Sequence, residues 1–375
     1  MEMIPVFKPL LQEEERAACI ETLEVGWLGM GKRVGEFEAQ LKRCVSADDR
    51  YVVALSTGHA ALHLGLITAG VQPGNEVITP SFNNVADFQA ILAVGASPVF
   101  CDIDEQSLCI DLDKAEKLIT EKTKAMIVMD YDCVLCNHDG VNAFARKHGI
   151  RIIHDAAHSF GSSYKGKPVG SFSDICMFSF DPVKTITCMD GGALVVRSEE
   201  EVRKLHAMRL VGMEQPAEIM YRNTRAWTYD VRYPGFRYHM SNMHAAVGLA
   251  QLAKIQEISH SRRKVCKYYN ERFAGIHEII TPKTDFIDIT PFLYYIRCGE
   301  KDRESLRKYM LEKGVDTGIH WQPGHWFTLF SNCRRGDLTV TDRVGKEILS
   351  LPLHSSMNEE DMQRVADAVC GYFGK

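Results

Sequence analysis

A lysine, a hydroxyl and a carboxylate sit where they could do chemistry. Lys184 follows Ser179 by five residues in the run Phe178-Ser179-Phe180-Asp181-Pro182-Val183-Lys184, and Gly191-Gly192 then opens the apolar run Ala193-Leu194-Val195-Val196. A strand that stops, offers a hydroxyl and a lysine, and restarts suits a lysine that forms a Schiff base. The hydroxyl would hold a phosphate of the same ligand. Pyridoxal 5'-phosphate carries both groups, and its pyridine nitrogen calls for a carboxylate. Asp155, closing the apolar run Ile152-Ile153-His154, is the candidate. A lysine taken alone is more often a solvated surface group, so the surrounding elements must decide.

Those elements alternate. Short β-rich runs at Tyr51–Leu55, Glu76–Thr79, Pro98–Phe100, Lys124–Val128 and Arg151–Ile153 are separated by helical segments at Ala60–Ala69, Val85–Val94, Asp113–Ile119 and His138–His148. Strand and helix in alternation predict a three-layer α/β sandwich on a mostly parallel sheet with right-handed crossovers. Ligands on such sheets bind beyond the carboxyl ends of the strands. Three polar clusters fall on such ends: Ser56-Thr57-Gly58-His59, Asn83-Asn84 and Asp155. Thr57-Gly58-His59 also opens a helix, whose free N–H groups favour a phosphate.

Two helices precede the sheet. Glu13-Glu14-Glu15 begins the first, with Ala17, Ala18, Ile20 and Leu23 as its expected apolar face, and Glu36–Val45 forms the second. After the sheet come a helix from Glu200 to Leu210, an aromatic and basic loop from Tyr221 to Pro234, and one long helix from Asn242 to about Phe273. A strand near Leu293–Arg297, a helix from Glu304 to Lys313 and a closing helix from Glu359 to Phe373 predict a smaller α+β unit. The expected division is a large domain over residues 1–253 and a small one over 254–375.

Composition excludes several classes. The 375 residues are 45% hydrophobic and 25% charged, with a formal net charge of -5, which gives no basic surface for nucleic acid. No apolar run is long enough to span a bilayer, and the N-terminus lacks the pattern of a signal peptide. The expectation is a cytoplasmic protein. Its 12 scattered cysteines suit free thiols. Cys133-Val134-Leu135-Cys136, near His138, is a lone CxxC whose metal or redox role stays open beside that reading. His59 and His63, four apart on one helix, lack the glutamate of a zinc-protease motif. Trp321 and Trp326 suit core packing and sugar stacking equally.

Taken together, the motifs resemble the nucleotide-sugar aminotransferases, the DegT-like group of fold-type-I PLP enzymes. The likeness runs in order through Gly26-Trp27-Leu28, Gly58-His59-Ala60-Ala61-Leu62, Gly74-Asn75-Glu76-Val77-Ile78-Thr79-Pro80, Gly95-Ala96-Ser97-Pro98-Val99-Phe100 and Asp155-Ala156-Ala157-His158-Ser159-Phe160-Gly161. It then takes in Ser179 to Gly192, Asn242 to Leu252 and Leu351-Pro352-Leu353-His354. The resemblance implies an aminotransferase that converts a nucleotide-linked keto-deoxysugar to the amino sugar, at C4 rather than C3, with glutamate as donor. It implies that Lys184 binds the cofactor and moves the proton, while Ser179 and the amides of Gly58 and His59 hold the phosphate. Asp155 would pair the ring nitrogen, Ala157 would pack on a ring face, and His158 would lie near the ring's 3-hydroxyl. It also implies a homodimer with shared active sites, and it leaves open whether the product serves O-antigen or another surface polysaccharide, a glycan or a secondary metabolite.

The chain departs from that family's pattern at four places. His59 stands where Thr or Ser is usual. Asn84 replaces a stacking aromatic and is expected beside the ring as a hydrogen-bonding group. Tyr131-Asp132-Cys133-Val134 replaces a Tyr-Gly-x-Pro turn. Arg237, in Gly235-Phe236-Arg237-Tyr238-His239, replaces an asparagine and is expected to reach the phosphate bound by the partner chain. Two alternatives remain: a PLP-dependent deoxysugar dehydratase, which would carry histidine in place of the lysine, and a non-catalytic regulator or scaffold.

Overall fold

The computed structural model describes residues 2–224 and 226–374; Arg225, in the aromatic loop, lies outside the described residues. Seven strands form the main sheet in the spatial order Tyr51–Leu55, Gly192–Val196, Ile175–Ser179, Arg151–Asp155, Thr123–Met129, Glu76–Pro80, Ser97–Cys101. The strand Gly192–Val196 runs antiparallel to both neighbours, and the remaining pairs are parallel. Every residue of Gly192–Val196 is buried, which accounts for its unbroken apolar run, since both faces of this sheet are covered.

Side-chain alternation divides the core in two. Val53, Leu55, Ile153, Met177 and Leu194 face helix α3 (Gly58–Thr68), while Val52, Ala54, Cys176, Phe178 and Val195 face helix α2 (Lys32–Val45) through Phe37 and Leu41. The two-residue period of a strand produces this split. Helix α3 is apolar nearly all round and is buried along most of its length, as befits a helix enclosed by sheet and neighbours.

A second, three-stranded antiparallel sheet centres on Tyr294–Cys298, flanked by Ile279–Ile280 and Ile348–Leu351. Helices Ile255–Phe273 and Glu359–Tyr372 cover it through Val265, Tyr269, Val365 and Val369. The N-terminal segment joins this unit: Ile4 bridges to Val315, and Leu353 donates its N–H to Val6 O at 3.1 Å.

Two expectations need correcting. The single long helix from Asn242 to Phe273 is two helices, Asn242–Ala253 and Ile255–Phe273, broken at Lys254 (φ -103°, ψ 8°). The Lys254 ammonium is drawn to Glu15, 2.6 Å from Oε1. Helix α1 (Glu13–Val25) does not dock by its apolar stripe: Ile20 is 54% exposed and Leu23 56%, whereas Glu15 and Thr22 are buried. Glu15 is the anchor. Gln251 donates to its Oε1 at 2.7 Å, and Lys254 pairs with both oxygens. Burial would raise the carboxyl's pKa, but these donors and Gln12 N–H outweigh it and hold Glu15 ionised.

At the end of the strand Thr123–Met129, the buried Asp130 carboxylate accepts four donors: Cys136 N–H (2.9 Å), His138 Nε2 (2.9 Å), His154 Nε2 (2.7 Å) and Ser159 Oγ (2.7 Å). Burial alone would raise its pKa, yet the two imidazoles and their hydrogen bonds hold it well below the usual range. A carboxyl depressed on folding adds stability that is present above its unfolded pKa of about 3.9 and is lost as pH falls through the folded value. Asp130→Asn leaves one acceptor oxygen where there were two and sets an NH2 against donors. We expect it to cost about 3–5 kcal/mol near neutral pH. Urea midpoints should show this gap in full at about pH 7 and a gap that begins to narrow only below about pH 4, closing as pH falls through the folded value; a gap that does not narrow in acid would show that the charge is not what holds these loops.

Candidate active site

The carboxyl ends of the central strands open on a cavity of about 620 Å³, a size ordinary for small-molecule sites. Lys184 enters it from the turn after Ile175–Ser179. That turn is locked by Lys184 N–H on Asp181 O (3.0 Å) and Val183 N–H on Asp181 Oδ1 (3.0 Å). The residue is half-buried, but its amine lies inside, 4.3 Å from the centroid of the Phe292 ring. Burial lowers the lysine's pKa, against the opposing pull of Asp155, Asp181, Asp132 and Asp87. The result is an amine more readily deprotonated than a surface lysine, as a nucleophile and base requires.

One corner of the cavity is built for an anion. Thr57 caps α3, its Oγ1 accepting Ala60 N–H at 2.9 Å and its carbonyl accepting Ala61 N–H at 3.2 Å. The first-turn amides of Gly58 and His59 are left for a ligand. Ser179 packs directly on this helix end, where a Cβ placed on Gly58 would lie 2.8 Å from both Ser179 Cβ and Oγ. Only glycine allows the hydroxyl and the amides to share one corner.

Asp155 forms the opposite wall. It is 3% exposed, and its Oδ1 accepts Ala157 N–H at 2.9 Å. Burial raises its pKa above the usual range. Beside it lies Asp87, fully buried, which takes a 2.5 Å hydrogen bond from Asn83 Nδ2 and lies within hydrogen-bond reach of the Asp155 carboxyl. Burial, with the neighbouring charge of Asp155, keeps Asp87 protonated. Two carboxyls in one dry pocket cannot both ionise without a nearby cation, and a protonated ring nitrogen is such a cation. The Asp155 carboxyl, the Gly58–Ser179 corner and the depressed amine together fit a phosphorylated pyridine aldehyde.

Ala157 and His158 line the same cavity. His158 is held between Phe292 (ring centroids 4.5 Å) and Trp321 (5.8 Å, planes 26° apart); burial and the nearby Lys184 push its pKa well down. Asn84 is on the wall, and its Oδ1 is spent on capping helix α4 (Val85–Ala93) by accepting Ala86 N–H at 2.9 Å. Arg237 is the exception: it is exposed, bridges to Leu210, and is not among the lining residues. His63 pairs with the Tyr238 hydroxyl at 3.2 Å and packs on Phe236, away from any partnership with His59. The CxxC thiols are free and buried, Cys133 donating to Leu293 O and Cys136 to Met129 O.

Sequence reasoning missed Asp87, Phe292, His320 and Phe7 as wall residues. Asp87 carried a signal, being an aspartate inside the apolar run Val85-Ala86-Asp87-Phe88. Phe7, by contrast, reaches the site from the far end of the chain, stacking on Phe292 at 5.6 Å and meeting His320 edge-on at 5.4 Å.

Comparison with known proteins agrees with this geometry. The spore coat polysaccharide biosynthesis protein SpsC of Bacillus subtilis (strain 168) is 33% identical, over 98% of this chain and 96% of its own length. Among solved structures, PseC of Helicobacter pylori, an aminotransferase involved in the biosynthesis of pseudoaminic acid, superposes with a TM-score of 0.92 at 26% identity over 100% of both chains. Spr1654 of Streptococcus pneumoniae in its PLP form does so with 0.89 at 27% identity, over 99% of both. Residues 9–370 match the DegT/DnrJ/EryC1/StrS aminotransferase family. With a lysine, a carboxylate and an anion corner meeting in one cavity of a chain matched over that length, the protein belongs to this family of PLP-dependent sugar aminotransferases.

Proposed function

We propose that the protein transfers an amino group from glutamate to the keto group of a nucleotide-linked deoxysugar, at C4 rather than C3. One observation carries the reading: the amine of Lys184, the carboxyl of Asp155 and the Gly58–Ser179 corner line a single cavity. Pyridoxal phosphate, when bound, supplies the electron sink that lets a carbon acid lose its proton. The protein does the rest. Gly58, His59 and Ser179 would grip the phosphate, Asp155 would keep the ring nitrogen charged, Ala157 would support a ring face and His158 would address the ring oxygen. Lys184 would hold the cofactor and take up or return the proton of the carbon that bears the amino group. Trp321, which lines the cavity, offers the sugar a stacking face.

The protein should be yellow when purified with its cofactor, bleach on adding glutamate, and regain colour with a 4-keto nucleotide sugar. Recovery only with a 3-keto sugar would move the site of amination. A colourless protein that PLP does not restore would favour a scaffold. The dehydratase reading is disfavoured by Lys184 itself.

We further propose a cytoplasmic homodimer serving surface-polysaccharide synthesis, the polysaccharide role by likeness to SpsC. Ile20, Leu23, Val25 and Leu28 form an apolar, exposed surface around helix α1, and such surfaces favour burial against a partner. Arg237 of one subunit would then reach the phosphate, or the sugar nucleotide's diphosphate, bound to the other, where guanidinium makes charge-assisted bonds. If so, Lys184→Ala and Arg237→Ala subunits, each inactive, should regain activity when co-refolded, because each heterodimer holds one intact site and one doubly altered site. Full activity of Arg237→Ala at limiting ligand, or no recovery in confirmed heterodimers, would end the cross-subunit role.

A further inference from the structure

Asp132 has no part in the chemistry above, yet its placement is costly in two ways. Its backbone is left-handed (φ 50°), a region that favours glycine. Its carboxyl is fully buried, with the Tyr131 hydroxyl and His158 Nδ1 beside it, and burying so polar a group is costly. Glycine would remove both costs. Strain and desolvation that cluster beside a reactive group point to a functional cause.

The neighbour is His158. Its Nδ1 lies 3.1 Å from Asp132 Oδ1 and 3.4 Å from the Asp132 amide nitrogen. Phe292 and Trp321 fix the imidazole from two sides. With Nδ1 engaged by Asp132, no hydrogen bond among the described residues uses Nε2, and His158 lines the cavity.

We propose that Asp132 and His158 form a dyad sharing one proton between Oδ1 and Nδ1, which holds the second proton on Nε2 as a donor to the cofactor's ring oxygen. Asp132 is a positioning residue that acts through His158. The dyad holds two protons and no net charge, whether the shared proton sits on oxygen or on nitrogen, and no covalent bond forms or breaks. The inference rests on the cofactor site proposed above. Charged and titratable groups facing the dyad are Lys184, His320 and Asp130, with Tyr131, Tyr295 and Cys133 around the carboxyl. Lys184 acts on both members of the pair.

A donor at the ring oxygen draws negative charge from it, so nearby protons leave at lower pH. Removing Asp132 weakens that donor, and the pH at which the loaded protein changes colour should therefore rise. The test uses Asp132→Asn, which tolerates the left-handed backbone, and Asp132→Gly, which suits it. Asp132→Gly should move the visible-absorbance transition of the PLP-loaded protein up by about one pH unit, a tenfold change in proton affinity; Asp132→Asn, whose Nδ2–H can still donate to Nδ1, should move it less. Both should bind PLP more weakly. Asp132→Gly should also melt a few degrees higher without cofactor, because strain and desolvation are relieved. In a His158→Ala background, Asp132→Gly should shift the transition no further. Wild-type titration in both single variants, or an undiminished shift without His158, overturns the dyad while leaving the cofactor site standing. A wild-type protein that gives no visible band and no borohydride-fixed adduct overturns both.

Discussion

In the Lys184→Ala protein, amino transfer is expected to fall by more than about 10,000-fold, because one substitution removes both the covalent anchor and the proton carrier. No other amine among the described lining residues can take its place, since Lys184 is the only lysine on the cavity wall. The anion corner is unaffected: Gly58 and His59 belong to α3 and Ser179 to the end of the strand Ile175–Ser179, and neither element depends on the lysine side chain. The variant should therefore still take up PLP non-covalently, with weaker colour. Borohydride reduction of the wild-type holoenzyme followed by peptide mapping locates the attachment. A label on any other lysine removes Lys184 from this role.

Asp155→Asn is expected to lower turnover by about 1,000-fold or more with the fold intact. An amide oxygen can still accept Ala157 N–H, so the turn after the strand survives. What disappears is the negative charge that favours a protonated ring nitrogen, and with it much of the electron sink. Asp87 makes this a sharper test. It lies beside Asp155, and burial together with Asp155's charge keeps it protonated, so loss of that charge lets Asp87 ionise more readily. Turnover near the wild-type value would mean that Asp87 had taken over the ring nitrogen, and Asp155→Asn/Asp87→Asn would then be inactive where either single variant is not.

Much of this was legible in the sequence where physics acts locally. Strands buried on both faces have continuous apolar runs, and the helix-opening Thr57-Gly58-His59 and the strand-ending Ser179 and Asp155 fall where an α/β sheet binds ligands. The misses share a cause. Periodicity gave α1 an apolar inner face, but Glu15 wins the docking because Gln251 and Lys254, more than two hundred residues away, supply its donors. The break at Lys254 follows from the same contact, and no local proline or glycine announces it. Phe292 carries no local mark of a site, and Trp321 suits core packing and sugar stacking equally, until the second unit folds back over Lys184.

The contact of Phe7 with Phe292 and His320 bears on the order in which the protein matures. Lys184, Asp155 and Ser179 all precede residue 192 and can be in place once the central sheet has formed, whereas the aromatic wall over the amine awaits residues 292 to 321 and then traps the N-terminal segment. Contacts of such wide sequence separation are slow to close. During synthesis the reactive amine would thus stand open to any passing aldehyde until the last third of the chain has left the ribosome. Early capture of the cofactor by the half-built pocket would both protect that amine and, by mass action, favour the sheet on which the wall must close.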